Sequence, residues 1–269
     1  MPERLNVAAL HLTVPAEPLT AAAFAPFGDV IENPRPDVHP SQFATAFGSL
    51  SPADAAQIHN PVSANQGSAT KYQRVSALAD RYASGHAPSG KPSGPLASMF
   101  VCATRTLLPS DSSTAGSAGG GLFPVTILER HPYTTQTFVP LFTQAAADTR
   151  YLVIVAPNLS AAETPAGMKT TSPPDVRGLR AFVARGDQAV TYGAATWHAP
   201  MAALGAAGTA LPFFVFQFAN GVGPEDCQEV VLDSGADSAE KTSAVVVLVP
   251  PRSASPPPTA LPLDFGSKL

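Results

Sequence analysis

The chain has little charge, little cysteine and almost no tryptophan, and each scarcity removes a class of protein. Charged residues make up 13% of its 269 residues, and the formal net charge is −4 with no basic run. Nucleic acid, which is held by clustered lysine and arginine, is not an expected partner. The two cysteines, Cys102 and Cys227, lie far apart. They match no metal-ligand spacing and do not suggest a secreted disulfide scaffold. Glu3 and Arg4 are followed by a mixed segment rather than the apolar core of a signal peptide. No apolar run reaches membrane-spanning length; residues 244–249 fall far short. There is no glycine-rich phosphate loop, no dinucleotide fingerprint and no His-x-His.

What is present points to a globular, strand-rich chain. Hydrophobic residues reach 45%, and 29 prolines with 20 glycines disfavour long helices. Short strands separated by close turns predict a mainly all-β fold, an antiparallel β-barrel or sandwich with a few short helices. Residues 1–18 read as an N-terminal arm in which Leu10, Leu12 and Val14 alternate. Thr20 can cap a short helix that Pro26 and Gly28 end, and Asp29-Val30-Ile31 begins a strand. A second short helix is expected at 52–57, a turn at Asn65-Gln66-Gly67, and a strand over 69–78. Strands follow at 96–107, 151–156, 179–183, 188–192, 196–200, 211–219, 228–232 and 244–249. Residues 84–95, 109–121 and 159–177, rich in Gly, Pro, Ser, Thr and Ala, read as surface insertions. The main domain is set at 19–233. Residues 234–269 form a last strand and a proline-rich tail ending in Ser267-Lys268-Leu269, the address read by the peroxisomal import receptor.

Chemistry concentrates in residues 128–141. His131 precedes Pro132, so its backbone is extended, and Pro132-Tyr133-Thr134-Thr135 suits a turn. Read as a hairpin, the stretch pairs His131 with Gln136 and Glu129 with Phe138. Those four side chains then share one face and Arg130 takes the other. Such a polar face either lines a cavity or is an ordinary exposed surface. Of the six histidines, His11, His39, His59 and His86 sit in loops or the arm and are expected to face solvent. His131 and His198 lie at strand ends beside proline and an aromatic or acidic neighbour. Trp197-His198 by itself reads as core packing more readily than as a site. Glu129, His131 and His198 have the composition of a two-histidine, one-carboxylate metal site, or act without metal as hydrogen-bonding acids and bases.

Several blocks together resemble the ureidoglycolate lyase family. The hairpin run Leu128-Glu129-Arg130-His131-Pro132-Tyr133-Thr134-Thr135-Gln136-Thr137-Phe138-Val139-Pro140 is similar to the family's signature. Phe24 to Ile31, Asn65-Gln66-Gly67 with Lys71-Tyr72, and Leu179-Arg180-Ala181-Phe182 with Gly186, Tyr192 and Trp197-His198-Ala199-Pro200 resemble further blocks. Asp226-Cys227 falls in a fourth, weaker one. The insertions and terminal tripeptide resemble fungal members. The resemblance implies a cupin-like jelly-roll barrel, a homodimer, and release of urea from (S)-ureidoglycolate to give glyoxylate in allantoin and purine breakdown.

That reaction needs a base for the hydroxyl proton and an acid for the leaving nitrogen, and histidine suits both. His131 is assigned as the acid–base residue, helped by Glu129 or His198. Lys71 is placed on the substrate carboxylate as a charge-assisted donor, because alternation turns Arg130 away to a structural or interface ion pair. Gln136 and Asn65 match the ureido group with amides, and Tyr72, Phe138, Tyr192 and Trp197 wall the cavity. No cofactor is required, although a divalent metal on Glu129, His131 and His198 remains an alternative. Rival functions are a metal-dependent cupin enzyme on another small hydroxy acid, a non-catalytic cupin that binds small carboxylates, and an amidohydrolase releasing ammonia.

Overall fold

The computed structural model describes residues 2–83, 87–110, 120–141, 149–235 and 243–252. About 41% of the chain is strand, in curled sheets that form a half-barrel, consistent with a cupin-like β fold. The first strands are β1 (Glu3–Asn6), β2 (Leu12–Pro18), β3 (Gly28–Ile31), β4 (Val62–Ala64), β5 (Ala69–Lys71) and β6 (Gly94–Ala103). Next come β7 (Gly121–Pro124), β8 (Ile127–Arg130), β9 (Gln136–Pro140), β10 (Arg150–Ala156), β11 (Arg180–Arg185) and β12 (Ala189–Tyr192). Last are β13 (Trp197–His198), β14 (Ala202–Leu204), β15 (Ala210–Ala219), β16 (Gln228–Asp233) and β17 (Val245–Val249).

The large sheet runs β1-β16-β8-β13-β10-β11-β2-β17-β7, with β14 also on β10, and the smaller sheet runs β3-β12-β9-β15-β6. Strand β10 shows why two sheets form. It is apolar on both faces, so each face needs its own cover. Leu152, Ile154 and Ala156 enter one core, where the large sheet curls onto itself through Leu128, Val230, Val245 and Val247. Tyr151, Val153 and Val155 enter a second core, shared with Phe138, Val190, Tyr192 and Phe213 of the small sheet. A fully buried side chain of this size stabilises the fold by about 1.5–3 kcal/mol, so slipping β10 by one residue would exchange the two cores at large cost.

Local signals behave as their chemistry dictates. Thr20 Oγ1 accepts from Ala23 N and caps the helix Ala21–Phe24. Ser51 caps the helix Pro52–Gln57 by accepting from Asp54 N. Asn65-Gln66-Gly67 turns between β4 and β5 with three successive positive φ angles, of 49°, 57° and 91°. The strand expected at 69–78 stops at Lys71, and Arg74 takes a left-handed φ of 53°.

Two expectations are corrected. The sheet is not wholly antiparallel: β1 lies parallel to β16, and β2 lies parallel to both β11 and β17. Nor is 128–141 a hairpin. Strand β8 pairs with β13 and β16 in the large sheet, whereas β9 pairs with β12 and β15 in the small one. Both edges of β9 are taken, which leaves none for β8. The connecting residues instead bind another part of the chain, with Arg81 N donating to Tyr133 O and Thr135 N to Ala79 O. Residues 128–141 therefore step from one sheet to the other.

The insertion at 159–177 is tied down: Glu3 accepts from Lys169 N and Thr170 N, and Ser172 O accepts from Trp197 Nε1. Residues 84–86 and 111–119, within the other two insertions, lie outside the described residues, as do the C-terminal Ser267, Lys268 and Leu269.

Candidate active site

Strand register brings the reactive groups together. Glu129 of β8 is the direct antiparallel partner of His198 in β13, so the two side chains share a face. The Glu129 Oε1 to His198 Nε2 distance is 3.6 Å. His131, two residues beyond Glu129, returns to the same face, and its ring lies 5.5 Å from that of His198, centre to centre. One ligand atom from each of Glu129, His131 and His198 falls within 4.8 Å of the others. Both histidines are buried, whereas Glu129 keeps 21% of its side-chain surface and marks where the cluster meets solvent.

Backbone carbonyls set the tautomers. His131 Nδ1 donates to Asp226 O at 2.6 Å, and His198 Nδ1 donates to Thr196 O at 2.9 Å. A carbonyl oxygen only accepts, so each Nδ1 carries a hydrogen and each Nε2 is the nitrogen turned to the cluster. Four buried side-chain atoms here have no hydrogen-bond partner among the described residues: His131 Nε2, His198 Nε2, Gln136 Oε1 and Tyr192 Oη. Gln136 Oε1 and the Nε2 of a neutral His131 are acceptors, and they stand beside a carboxylate. Buried acceptors without donors are costly, and the arrangement suits a ligand rich in N–H or O–H groups, or a cation.

Charge follows burial. Desolvation holds the His131 imidazole below its ordinary pKa, reinforced by His198 and partly opposed by the Asp226 carbonyl, Glu129 and Gln136. His131 is therefore neutral near pH 7 and competent as a base. Burial alone would raise the Glu129 carboxyl; hydrogen bonding and charge from His198, then His131, bring it below the usual carboxylate range. Glu129 is an anion. Burial also keeps the Tyr192 phenol protonated. Its ring stacks on His198 at 4.0 Å with the planes 10° apart.

The remaining sequence-derived candidates divide. Gln136 reaches His131 and donates from Nε2 to Gln217 Oε1 at 2.7 Å. Phe138 packs edge-on to Tyr192 and Phe213 in the core between the sheets, beneath the cluster. Trp197 is turned the other way, into the core that the large sheet makes with itself, with the Arg130 guanidinium 4.6 Å over its ring. Adjacent strand residues face opposite sides, so Trp197 cannot accompany His198. Arg130 is buried, with neutral acceptors in place of the expected ion pair: Gln228, Asn158 and the carbonyls of Thr171 and Ser172. Lys71, Tyr72 and Asn65 lie on or beside the separate β4–β5 ribbon. Lys71 and Asn65 are exposed, and Tyr72 meets the Phe47 ring. No hydrogen bond among the described residues joins these three to the histidines.

His11 and His39 are exposed and His59 is half-buried, while His86 lies outside the described residues. Sequence reasoning missed the carbonyls of Asp226 and Thr196, because any residue supplies a carbonyl. It also missed Tyr82, whose hydroxyl donates to Asp226 Oδ1 at 2.8 Å, and Gln217, hidden in an aromatic run.

Comparison with known proteins gives the family. The family model described as Ureidoglycolate lyase matches residues 11–238. The chain is 35% identical over 213 residues to a Schizosaccharomyces pombe protein named ureidoglycolate lyase, covering 79% of this chain and 88% of that one. A Saccharomyces cerevisiae protein of the same name is 34% identical over 72% of this chain and 80% of its own. One from Burkholderia cepacia is 31% identical over 81% and 85%.

Proposed function

We propose that this chain, which belongs to the ureidoglycolate lyase family, eliminates urea from (S)-ureidoglycolate and leaves glyoxylate. The observation that carries the reading is the neutral His131 imidazole, its Nε2 without a partner among the described residues, beside His198 and the Glu129 anion. The substrate brings a hydroxyl and a ureido nitrogen on one carbon, and the protein brings acceptors for both.

His131 Nε2 takes the hydroxyl proton, and the O–H electron pair becomes the aldehyde C=O bond. The C–N bond breaks, and its electrons pass to the urea nitrogen. The imidazolium returns the proton to that nitrogen, directly or through His198. One proton moves from oxygen to nitrogen, so no co-reactant is consumed. Glu129 stabilises the transient imidazolium, and general acid–base help of this kind is worth roughly 10²–10⁴ in rate. Lys71, exposed and without an ion pair among the described residues, is assigned to the substrate carboxylate, with Asn65 and Tyr72 beside it. The test is to supply ureidoglycolate and assay products. Urea and glyoxylate in equal amounts are expected; ammonia instead would favour an amidohydrolase.

A second reading rests on the same donor set. Metal-bound histidines commonly donate their other nitrogen to a carbonyl, as His131 and His198 both do. Glu129, His131 and His198 would hold a divalent cation, which would act as a Lewis acid on substrate oxygens. Activity that survives exhaustive dialysis against a chelator supports the metal-free scheme; loss restored by one added cation supports the second.

We further assign a homodimer, joined through the outer edge of β6. That strand ends the small sheet, carries no charged residue, and exposes Met99 and Val101 at 65% and 66%. An apolar edge with no further strand on it among the described residues pairs readily with its own copy. Met99→Lys with Val101→Lys is expected to give a monomer by sedimentation. The terminal Ser267-Lys268-Leu269 is assigned to the peroxisomal import receptor; its removal should return a fluorescent fusion to the cytosol.

A further inference from the structure

We propose that Gln217 is a positioning residue for ureido recognition: by accepting from Gln136 Nε2, it turns the Gln136 carbonyl toward the histidines, where it accepts an N–H of the substrate. The inference rests on the urea-releasing activity above and concerns a residue that touches neither histidine.

The strands fix the pair. Gln217 of β15 lies directly opposite Gln136 of β9, and the Gln136 Nε2 to Gln217 Oε1 bond is 2.7 Å. Gln136 Oε1 is then left buried without a partner among the described residues, next to His131 Nε2, which lacks one as well. Two buried acceptors side by side repel unless a donor comes between them. An amide can relieve this by rotating, which would offer its NH₂ to His131 and its oxygen to Gln217. While Gln217 presents its oxygen to Gln136, as it does here, it sets which end of Gln136 the substrate meets. A carbonyl facing the cluster selects a ligand with N–H groups and rejects one with an ether or ester oxygen in that place, because the acceptor would stay unsatisfied.

Two substitutions separate the orientations. Gln217→Glu presents acceptors only, so Gln136 must donate to it and keep its carbonyl on the substrate. Gln217→Lys presents donors only and reverses Gln136. KM for ureidoglycolate is expected to stay within about threefold in the glutamate variant and to rise roughly tenfold or more in the lysine variant, with kcat changing less in both. The reverse order would show that Gln136 turns its NH₂ to the substrate. Equal losses would make Gln217 merely structural, and two unchanged variants would give it no part; each of these outcomes overturns the proposal. Wild-type urea release is measured first. If it is absent, the activity reading fails on its own, and hydrogen exchange of the Gln136 side-chain amide, read by ¹⁵N NMR, decides the orientation. Protection kept in the glutamate variant and lost in the lysine variant upholds it, and the opposite pattern overturns it.

Discussion

Strands β8 and β13 carry two opposite faces built from neighbouring residues. On one, Arg130 lies over Trp197 and makes five hydrogen bonds to Gln228, Asn158, Thr171 and Ser172, as many as its guanidinium has N–H donors. Burial pulls the Arg130 pKa down to about 10, which still leaves it charged at neutral pH. On the other, Glu129, His131 and His198 crowd acceptors around an unfilled demand for hydrogens. Both faces are polar and largely buried, so neither burial nor charge distinguishes them. Satisfaction does: the completed network holds the fold, and the incomplete one waits for a ligand.

That contrast can be broken by experiment. The largest expected effect is on the incomplete face. His131→Ala should lower turnover about a thousandfold, roughly 4 kcal/mol of barrier, while leaving the melting temperature close to that of the wild type. Turnover within tenfold of wild type would remove His131 from the chemistry. Arg130→Met should do the opposite, costing about 3 kcal/mol of stability, or about 10 °C in melting temperature, because Gln228, Asn158 and two carbonyls lose their donor. Activity per folded molecule should stay within a few-fold, and a catalytic collapse without unfolding would show that the faces are not separable. The smallest effect is a pH dependence. His131 and Glu129 both have folded pKa values below their ordinary ones, so the folded chain binds fewer protons than the unfolded one. Folding should weaken as pH falls, first below the ordinary histidine value of 6.5 and then below the ordinary glutamate value of 4.5. His131→Gln should flatten the melting temperature between pH 6.5 and 5 relative to wild type; an unchanged slope would refute this origin.

The sequence made the polar face legible for a reason that survived a wrong premise. Glu129 and His131 share a face by alternation alone, whichever strand they pair with, and Arg130 opposes them by the same rule. The hairpin itself was wrong because pairing is a long-range property: β9 is flanked by β12 and β15, whose residues lie dozens of positions away. Trp197 was misplaced as a cavity wall although alternation from His198 already sends it to the other side. The parallel placement of β1 and β2 left no local trace, since short apolar strands carry no mark of direction. The carbonyls that orient the histidines were illegible in principle, because a backbone acceptor has no residue identity.

The central place of β2 also governs how the molecule is made. Leu12 to Pro15 of β2 align with Val245 to Leu248 of β17, across almost the whole length of the chain. The chain must therefore be extended far past β2, to β17, before β2 meets one of its two neighbours. Until then one edge of β2 is unpaired, and an unpaired strand edge is what makes a folding intermediate prone to aggregate. Completion of the large sheet around β2 thus comes late, after β17 has been made.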